Sequence, residues 1–237
     1  MPLSAAANLI CFAHRGASGY EPENTLRSFS RALDLGATWI ECDIRVVRGE
    51  LVIFHDRTLS RLTGAPGKVS DLDLPTLRSL RVKGTEPIPL LSELVDLARN
   101  KANLQLELKG GGTGEPTARY LNTLLEQGWS ADSFLVSSFD HEEIVTFKQI
   151  APTIPLGVLV SGYPMNTLDI ARALGAYSVH LNLEMVTPKR VSALHQAGYK
   201  VFVYTVNELA DIDAMRAIGV DGVFSDFPDR VIDTNPL

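Results

Sequence analysis

Residues 199–225 read YKVFVYTVNELADIDAMRAIGVDGVFS and hold two apolar, β-branched runs separated by a segment of helical period. The runs at 199–206 and 221–225 predict strands, and the segment 208–218 predicts a helix that ends at Gly219. A strand, a helix and a second strand joined by short connections are typical of parallel strands with a crossover. This stretch therefore predicts one β–α–β unit of a parallel sheet.

The same alternation recurs along the 237 residues of the chain. A run at 51–54 returns on the strand before it through a turn at 48–50, so we treat it as a local hairpin. Eight strands then remain, and eight β–α units predict a TIM (β/α)8 barrel, with a doubly wound open sheet of fewer strands as the alternative. The predicted strands are 8–13, 38–46, 103–108, 133–138, 154–160, 177–183, 199–206 and 221–225. The predicted helices are 24–35, 90–99, 116–127, 140–150, 166–175, 187–197 and 208–218.

Residues 57–89 interrupt this alternation after the predicted hairpin. The segment is rich in glycine and proline and is too long for an ordinary connection between a strand and a helix. We therefore expect a small insertion over one face of the barrel. No second domain is indicated, and residues 1–237 are predicted to form a single barrel domain that contains this insertion.

Composition and charge exclude several classes of protein. The chain carries 22 Lys and Arg residues against 28 Asp and Glu residues, and its net charge of -6 argues against a nucleic-acid partner. Its two cysteines, Cys11 and Cys42, are too few for a disulfide scaffold and are typical of a reducing compartment. No apolar run reaches the roughly 18 residues of a membrane span, and residues 1–12 lack the basic start of a signal peptide. We expect a cytoplasmic protein without a membrane span, and the sequence indicates no oligomeric state.

Carboxylates lie in two of the predicted strands. Glu41 and Asp43 are two residues apart, so both side chains point to the same face, and Glu107 in the next strand is predicted to point inward as well. Three carboxylates that face one cavity repel each other unless a cation lies between them. Because oxygen ligands without cysteine suit a hard cation, the pattern predicts a site for Mg²⁺ or Ca²⁺. The alternative is an inward salt-bridge network with Arg15 and Lys109.

Two histidines, His14 and His55, each end a predicted strand and precede a charged residue. Beside a metal, two imidazoles can act as base and acid near pH 7, one neutral and one protonated. Arg15 and Lys109 supply positive charge for an anionic group. Cations, a metal site and paired histidines together indicate a site for a phosphate ester.

The other three histidines are predicted to be structural. His141 falls in the first turn of a predicted helix and is expected at the surface, while His195 belongs to a later helix. His180 lies inside a predicted strand and could face the cavity, but no feature of the sequence links it to the chemistry.

These residues resemble the signature of the glycerophosphodiester phosphodiesterase family. The matching blocks follow one another in order over nearly the whole chain, which makes the resemblance specific. They are His14-Arg15-Gly16-Ala17, Glu21-Pro22-Glu23-Asn24-Thr25, Glu41-Cys42-Asp43, His55-Asp56 with Thr58-Leu59, Arg61 and Thr63-Gly64, Glu107-Leu108-Lys109, Tyr204-Thr205-Val206-Asn207, and Asp221-Gly222 with Ser225-Asp226-Phe227-Pro228.

The resemblance implies a TIM barrel with an insertion that matches 57–89, and a small-molecule phosphodiester as substrate. It implies hydrolysis of glycerophosphodiesters to sn-glycerol 3-phosphate and an alcohol, with relatives of the same barrel that accept lysophospholipids as the alternative. The implied roles are acid–base catalysis for His14 and His55, phosphate contact for Arg15 and Lys109, and binding of Mg²⁺ or Ca²⁺ for Glu41, Asp43 and Glu107.

The resemblance also points to two residues near the pocket. Glu23 matches a segment close to the site and is expected to help hold the metal shell. Tyr204 stands where the family usually has Trp, which bears on substrate preference rather than on the reaction, and Ser225 stands where Thr is commoner. Two other readings stay open, a sugar-phosphate aldolase or isomerase and a barrel that binds phosphodiesters without cleaving them. The first lacks the Gly-rich loops that such enzymes often carry after strands 7 and 8, and the second would have lost a histidine or a metal ligand.

Overall fold

The computed structural model describes residues 9–162 and 164–232, and its centre is a closed barrel of eight parallel strands. The barrel order is β1-β2-β6-β7-β8-β9-β10-β11, and β1 pairs with both β2 and β11, which closes the ring. The predicted (β/α)8 barrel is therefore confirmed, although residue 8 of the first predicted strand lies outside the described residues. The strands are β1 (Ile10–Ala13), β2 (Trp39–Val47), β3 (Glu50–Ile53), β4 (Arg81–Val82), β5 (Glu86–Pro87), β6 (Asn103–Leu108), β7 (Phe134–Ser138), β8 (Leu156–Leu159), β9 (Ser178–Asn182), β10 (Lys200–Tyr204) and β11 (Gly222–Ser225).

A helix follows each barrel strand along the chain, and all seven predicted helices are present. The structure adds one more helix after the last strand and two short ones in the insertion. These three have only four to six residues, too few to produce a periodic pattern in the sequence. The helices are α1 (Leu26–Asp34), α2 (Ser60–Thr63), α3 (Leu74–Ser79), α4 (Leu91–Ala98), α5 (Gly114–Glu126), α6 (His141–Ile150), α7 (Thr167–Leu174), α8 (Pro188–Gln196), α9 (Leu209–Ile218) and α10 (Pro228–Ile232).

Side-chain caps begin several of the barrel helices. The side chain of Thr25 accepts a hydrogen bond from the backbone N–H of Ser28 at the start of α1, and Asp140 caps α6 in the same manner through Glu142. Thr187 caps α8, whose first residue is Pro188. Each cap satisfies a backbone donor that has no partner inside its helix.

The insertion at 57–89 rests on the end of the second barrel strand. β2 runs past the barrel and pairs antiparallel with β3, and the chain then forms α2, a short 3-10 turn, α3 and the β4–β5 hairpin. A separate apolar cluster joins the insertion to this strand pair and holds it at the carboxyl end of the barrel. Its buried members are Val47, Val52, Phe54, Leu59, Leu62, Val69, Leu77, Val82 and Ile88.

The barrel interior has an apolar lower layer and a polar upper layer. Phe12, Leu135, Phe202 and Phe224 pack inside the barrel, and Phe12 stacks on Phe224 with ring centroids 4.7 Å apart. The larger apolar cluster lies between the strands and the surrounding helices. Aromatic rings fill the lower part, and the charged side chains inside the barrel lie toward the carboxyl ends of the strands.

No helix within the described ranges is long and apolar enough to cross a membrane.

Candidate active site

Glu41, Asp43 and Glu107 meet inside the barrel because of the pairing between β2 and β6. The register places Asp43 directly opposite Glu107 and Glu41 opposite Gln105, so all four side chains face the interior. The alternate residues of β2, Ile40, Cys42 and Ile44, pack outward in the large apolar cluster. One oxygen from each of the three carboxylates lies within 4.8 Å of the others.

Burial gives these carboxylates different proton affinities. Burial, followed by the charge of Asp43, raises the pKa of Glu41 well above its usual value and that of Glu107 to about 7. Burial opposes ionisation of Asp43 as well, but Arg15 and Lys109 outweigh it and lower the pKa of Asp43 to about 2. Asp43 is therefore the carboxylate of this cluster that ionises most readily.

A divalent cation fits this cluster. All three side chains offer oxygen ligands, which suit Mg²⁺ or Ca²⁺, and two of the three are almost completely buried. A cation among them would also remove the repulsion that raises the pKa of Glu41. Arg15 and Lys109 form ion pairs with the cluster too, as the salt-bridge alternative requires, but two cations face three carboxylates.

Arg15 is fixed by an unusual backbone conformation at the end of β1. Its φ of 55° lies in the left-handed region, and its N–H donates to Glu41 Oε2 at 2.7 Å. Gly16 follows with φ 81°, and a Cβ there would lie 2.6 Å from the backbone carbon of Ser28. This tight turn directs the guanidinium toward Asp43 Oδ2, 3.2 Å from Nε.

Lys109 approaches the cluster from the neighbouring strand. It follows β6 directly, and its Nζ lies 3.3 Å from Asp43 Oδ1 and pairs with Glu107. The ammonium also lies 5.7 Å from the ring centroid of Phe139. Arg15 and Lys109 thus flank Asp43 from two sides and place two positive charges beside the cavity.

His14 is oriented by an aspartate from the other end of the chain. Its Nδ1 lies 2.6 Å from Asp226 Oδ1, directly after β11. Ser18 Oγ and Asn207 Nδ2 donate to the same carboxylate at 2.8 and 2.7 Å. Burial of Asp226 is outweighed by the hydrogen bond with His14, and its pKa falls to about 2. An ionised Asp226 holds Nδ1, so Nε2 is the ring nitrogen that can meet a substrate.

His55 is held in a similar manner on the opposite side of the site. Its Nδ1 lies 2.7 Å from Asp56 Oδ1, and Asp56 accepts two hydrogen bonds from Arg61. Burial lowers the pKa of His55 below its usual value, while Asp43 opposes this shift. The ring is therefore neutral near pH 7 and can accept a proton at Nε2.

The expectation that Glu23 helps to hold the metal shell stays a prediction, and the structure places this carboxylate beside Arg15. Glu23 Oε1 accepts from Arg15 Nη1 at 2.7 Å, and Arg61 donates to both carboxylate oxygens at 2.7 and 2.8 Å. Two guanidinium groups thus occupy this carboxylate, which stands behind Arg15 and does not line the cavity. Its position is explained by charge, because Glu23 neutralises the side of Arg15 that points away from Asp43.

The site opens into a cavity of about 160 Å³ at the carboxyl end of the barrel. Tyr204 lines this cavity, and its hydroxyl donates to the carbonyl oxygen of Val160 at 2.9 Å. Phe139 meets Tyr204 edge to face at 5.9 Å. The cavity is lined by His14, Arg15, Glu41, His55, Gln105, Glu107, Lys109, Ser137, Phe139, Leu159, His180, Tyr204, Thr205 and Phe224.

Several residues that support the site have no assigned role in the sequence analysis. Arg45 donates from Nη2 to the carbonyl oxygen of His55 at 2.7 Å and from Nη1 to that of Lys109 at 3.3 Å. Asn24, at φ 58°, donates from Nδ2 to Asp43 Oδ2 at 2.7 Å. Because side chains alternate along β2, Arg45 is predicted to lie on the same face as Asp43. The hydrogen bonds of Asn24 and Asp226 join residues that are far apart in the sequence, so no local pattern predicts them.

Comparison with known proteins places these features in a family. A profile of the glycerophosphoryl diester phosphodiesterase family matches residues 14–230. The chain is 32% identical over 234 residues to a glycerophosphodiester phosphodiesterase of Caldanaerobacter subterraneus subsp. tengcongensis, which covers 94% of this chain and 96% of that protein. A glycerophosphodiester phosphodiesterase of Bacillus altitudinis is 34% identical over 234 residues, which covers 93% of this chain and 96% of that protein.

The solved structures agree with the sequence relatives. A phosphodiesterase of Oleispira antarctica, in complex with the product sn-glycerol-3-phosphate, superposes with a TM-score of 0.87 at 34% identity, covering 94% of this chain and 96% of its own. A putative glycerophosphodiester phosphodiesterase from Galdieria sulphuraria gives a TM-score of 0.87 at 26% identity, covering 97% and 98%. With a profile match that spans nearly the whole barrel, the chain belongs to the glycerophosphoryl diester phosphodiesterase family.

Proposed function

We propose that the protein hydrolyses glycerophosphodiesters to sn-glycerol 3-phosphate and an alcohol, with Glu41, Asp43 and Glu107 holding a divalent cation. The observation that carries this proposal is the convergence of this carboxylate cluster with two cations and two aspartate-held histidines on one cavity. Membership of the family and the product bound to the Oleispira antarctica relative support the same reaction.

Arg15 and Lys109 bind the phosphate in this proposal. Both are positively charged at neutral pH, because neighbouring carboxylates raise their pKa values against the opposing effect of burial. Arg15 is held by Glu23 and by the backbone contact to Glu41, so its guanidinium is ordered before a ligand arrives. Pre-ordered cations stabilise the charge that develops on phosphate oxygens without reorganising during the reaction.

His14 and His55 move the protons. One Nε2 accepts a proton from the attacking water or glycerol hydroxyl, and the other donates a proton to the leaving alkoxide oxygen. Asp226 and Asp56 hold the Nδ1 atoms and so keep both rings in position throughout. When bound, the cation supplies a Lewis acid that polarises the phosphate.

The test is turnover of glycerophosphocholine, followed by a coupled assay for glycerol 3-phosphate. Activity lost in EDTA and restored by Mg²⁺ or Ca²⁺ is the expected result. Replacement of either histidine, His14→Ala or His55→Ala, should lower kcat by at least about 10²-fold while circular dichroism stays unchanged. Folded protein that releases no glycerol 3-phosphate with either metal would contradict the proposal, and turnover of lysophospholipids instead would favour that alternative.

A further inference from the structure

His180 is a buried polar residue inside the barrel that the proposed mechanism does not use. Its side chain is completely buried, packs against the rings of Phe202 and Phe224, and still lines the cavity that holds the candidate site. Nε2 lies 2.9 Å from Ser178 Oγ, and no described residue pairs with Nδ1. A buried ring nitrogen without a partner is costly and rare in native structures, so it calls for an explanation such as a role in the reaction or a bound partner.

The neighbouring strand makes room for this ring. Gly157 of β8 lies beneath His180, and a Cβ at that position would stand 2.3 Å from Nε2. Only glycine leaves the imidazole enough space here, so the strand is shaped around the ring. Burial lowers the pKa of His180 to about 3, and the imidazole is neutral at physiological pH.

Gln105 is a second buried polar residue in the same cavity. It lies on β6 opposite Glu41, and its Nε2 donates to Ser137 Oγ at 2.6 Å. Its Oε1 is buried and has no hydrogen-bond partner within the described part of the chain. Gln105 and His180 therefore each carry one unpaired, uncharged polar atom, and both residues line the cavity that also contains the carboxylate cluster.

We propose that His180 and Gln105 form a subsite that binds a hydroxyl group of the glycerol portion of the substrate. This inference rests on the proposed function. A hydroxyl both donates and accepts hydrogen bonds, so it can pair with Gln105 Oε1 as a donor and with His180 Nδ1 in either tautomer. The quaternary ammonium of a choline head group offers neither donor nor acceptor. A charged group is disfavoured as well, because both residues of the subsite are neutral.

The experiment compares two substrates that differ by one hydroxyl. The first is glycerophosphocholine, and the second is the propane-1,2-diol analogue, which keeps the hydroxyl next to the phosphate ester and lacks the terminal one. Both are phosphodiesters of choline, so choline release reports turnover of each. We expect the native enzyme to prefer the glycerol substrate in kcat/KM by at least about tenfold, since a hydrogen-bonding site rejects an analogue that leaves it unpaired.

Two pairs of variants test the subsite itself. His180→Phe and Gln105→Met should lower kcat/KM for the glycerol substrate at least about tenfold, chiefly through KM, and leave the analogue nearly unchanged. His180→Asn places a polar atom near the Nδ1 position and should keep the preference, whereas His180→Gln places one near Nε2 and should lose it. If His180 had only a structural role, His180→Asn and His180→Gln would not differ in their preference for the glycerol substrate.

The outcomes distinguish the inference from the proposed function. If the native enzyme releases choline from neither substrate, the proposed function fails. If it turns over both and shows no preference, or if folded His180→Phe and Gln105→Met retain the preference, the subsite is wrong while the phosphodiesterase function stands. Loss of the preference in His180→Phe and Gln105→Met, with turnover of the analogue retained, supports the subsite.

Discussion

The three imidazoles at the cavity have different surroundings. His14 and His55 each contact a carboxylate through Nδ1, and both sit at the edge of the cavity. His180 lies deeper, beside a serine and two phenylalanine rings, with burial as the cause of its lowered pKa. Histidine therefore has two kinds of surroundings in this barrel, since an aspartate holds the rings of His14 and His55, whereas burial lowers the pKa of His180.

The surroundings of His180 predict how the stability of the fold changes with pH. Its pKa is about 3 in the folded protein and about 6.5 in an unfolded chain, so between these values the unfolded state binds an extra proton. Acidification from pH 7 to pH 5 should therefore lower the free energy of unfolding, by about 2 kcal/mol from this residue alone. Urea unfolding at both pH values measures the loss.

The control for this prediction is His180→Phe, which fills the same space and has no titratable group. We expect its free energy of unfolding to fall by about 2 kcal/mol less than that of the native protein over the same pH interval. An equal fall in both proteins would mean that His180 is protonated in the folded state or does not titrate in this range.

At the scale of elements, the insertion contributes a charged contact to the barrel. α2 carries Arg61, whose guanidinium donates to both Asp56 and Glu23. Asp56 holds His55, and Glu23 holds Arg15, so one side chain of the insertion links a candidate base or acid to a candidate phosphate ligand. The apolar cluster of the insertion fixes α2 through Leu62.

This arrangement predicts that Arg61 acts on the reaction through the residues it positions. Arg61→Gln should lower kcat about tenfold, because Asp56 and Glu23 lose the planar group that aligns them both. Arg61→Lys should not restore the rate, since an ammonium cannot reproduce four hydrogen bonds to two carboxylates. Steady-state kinetics and thermal unfolding of the same samples measure both effects.

Arg81 offers a matched control within the same insertion. It is exposed and donates to the backbone carbonyls of residues 78–80, so Arg81→Gln removes the same charge without touching the site. We expect its kcat to equal that of the native enzyme. Equal kcat values for Arg61→Gln and Arg81→Gln would exclude the positioning role.

At the scale of the whole molecule, the positive charges at the site contrast with the negative net charge of the chain. The chain carries a net charge of -6, yet Arg15 and Lys109 meet at one cavity together with the carboxylate cluster. The closed sheet supplies a rigid frame for this concentration of charge, since side chains from β2 and β6 cannot separate without breaking the ring. Repulsion within the cluster is thus a cost to the folded state that a bound cation would relieve.

Cation binding should therefore raise the stability of the whole barrel. With Mg²⁺ or Ca²⁺ at about 100 times its Kd, we expect Tm to rise by roughly 5–10 °C. Glu41→Gln should raise Tm in EDTA, because it removes a carboxyl whose ionisation burial and Asp43 oppose in the folded protein, and should abolish the rise with metal. Differential scanning calorimetry with and without metal measures both changes.

The exposed Glu126 on α5 provides the control for this prediction. Glu126→Gln removes the same charge outside the cluster, so it should keep the full metal-dependent rise in Tm. A rise that is retained in Glu41→Gln would show that the cation binds elsewhere on the protein.

The sequence alone determined the barrel and the membership of its central cluster. Alternation of apolar runs and helical segments is a local pattern, and side chains on a strand alternate between two faces, so Glu41 and Asp43 could be assigned to one face. The carboxyl ends of parallel strands meet by topology, which is why His14, Arg15 and Lys109 could be expected together. The short helices of the insertion and α10 could not be recognised, because one turn carries no period.

Tertiary structure decided the contacts that orient these residues. Asp226 lies 212 positions from His14, and Arg61 lies 38 positions from Glu23, so no local pattern could reveal either hydrogen bond. The signature predicts that Glu23 lies near the metal shell, but its contacts with Arg15 and Arg61 are set only by the fold. The space for His180 likewise depends on a glycine in the neighbouring strand. Distances across a closed barrel are set by strand register and packing, which exist only once the chain has folded.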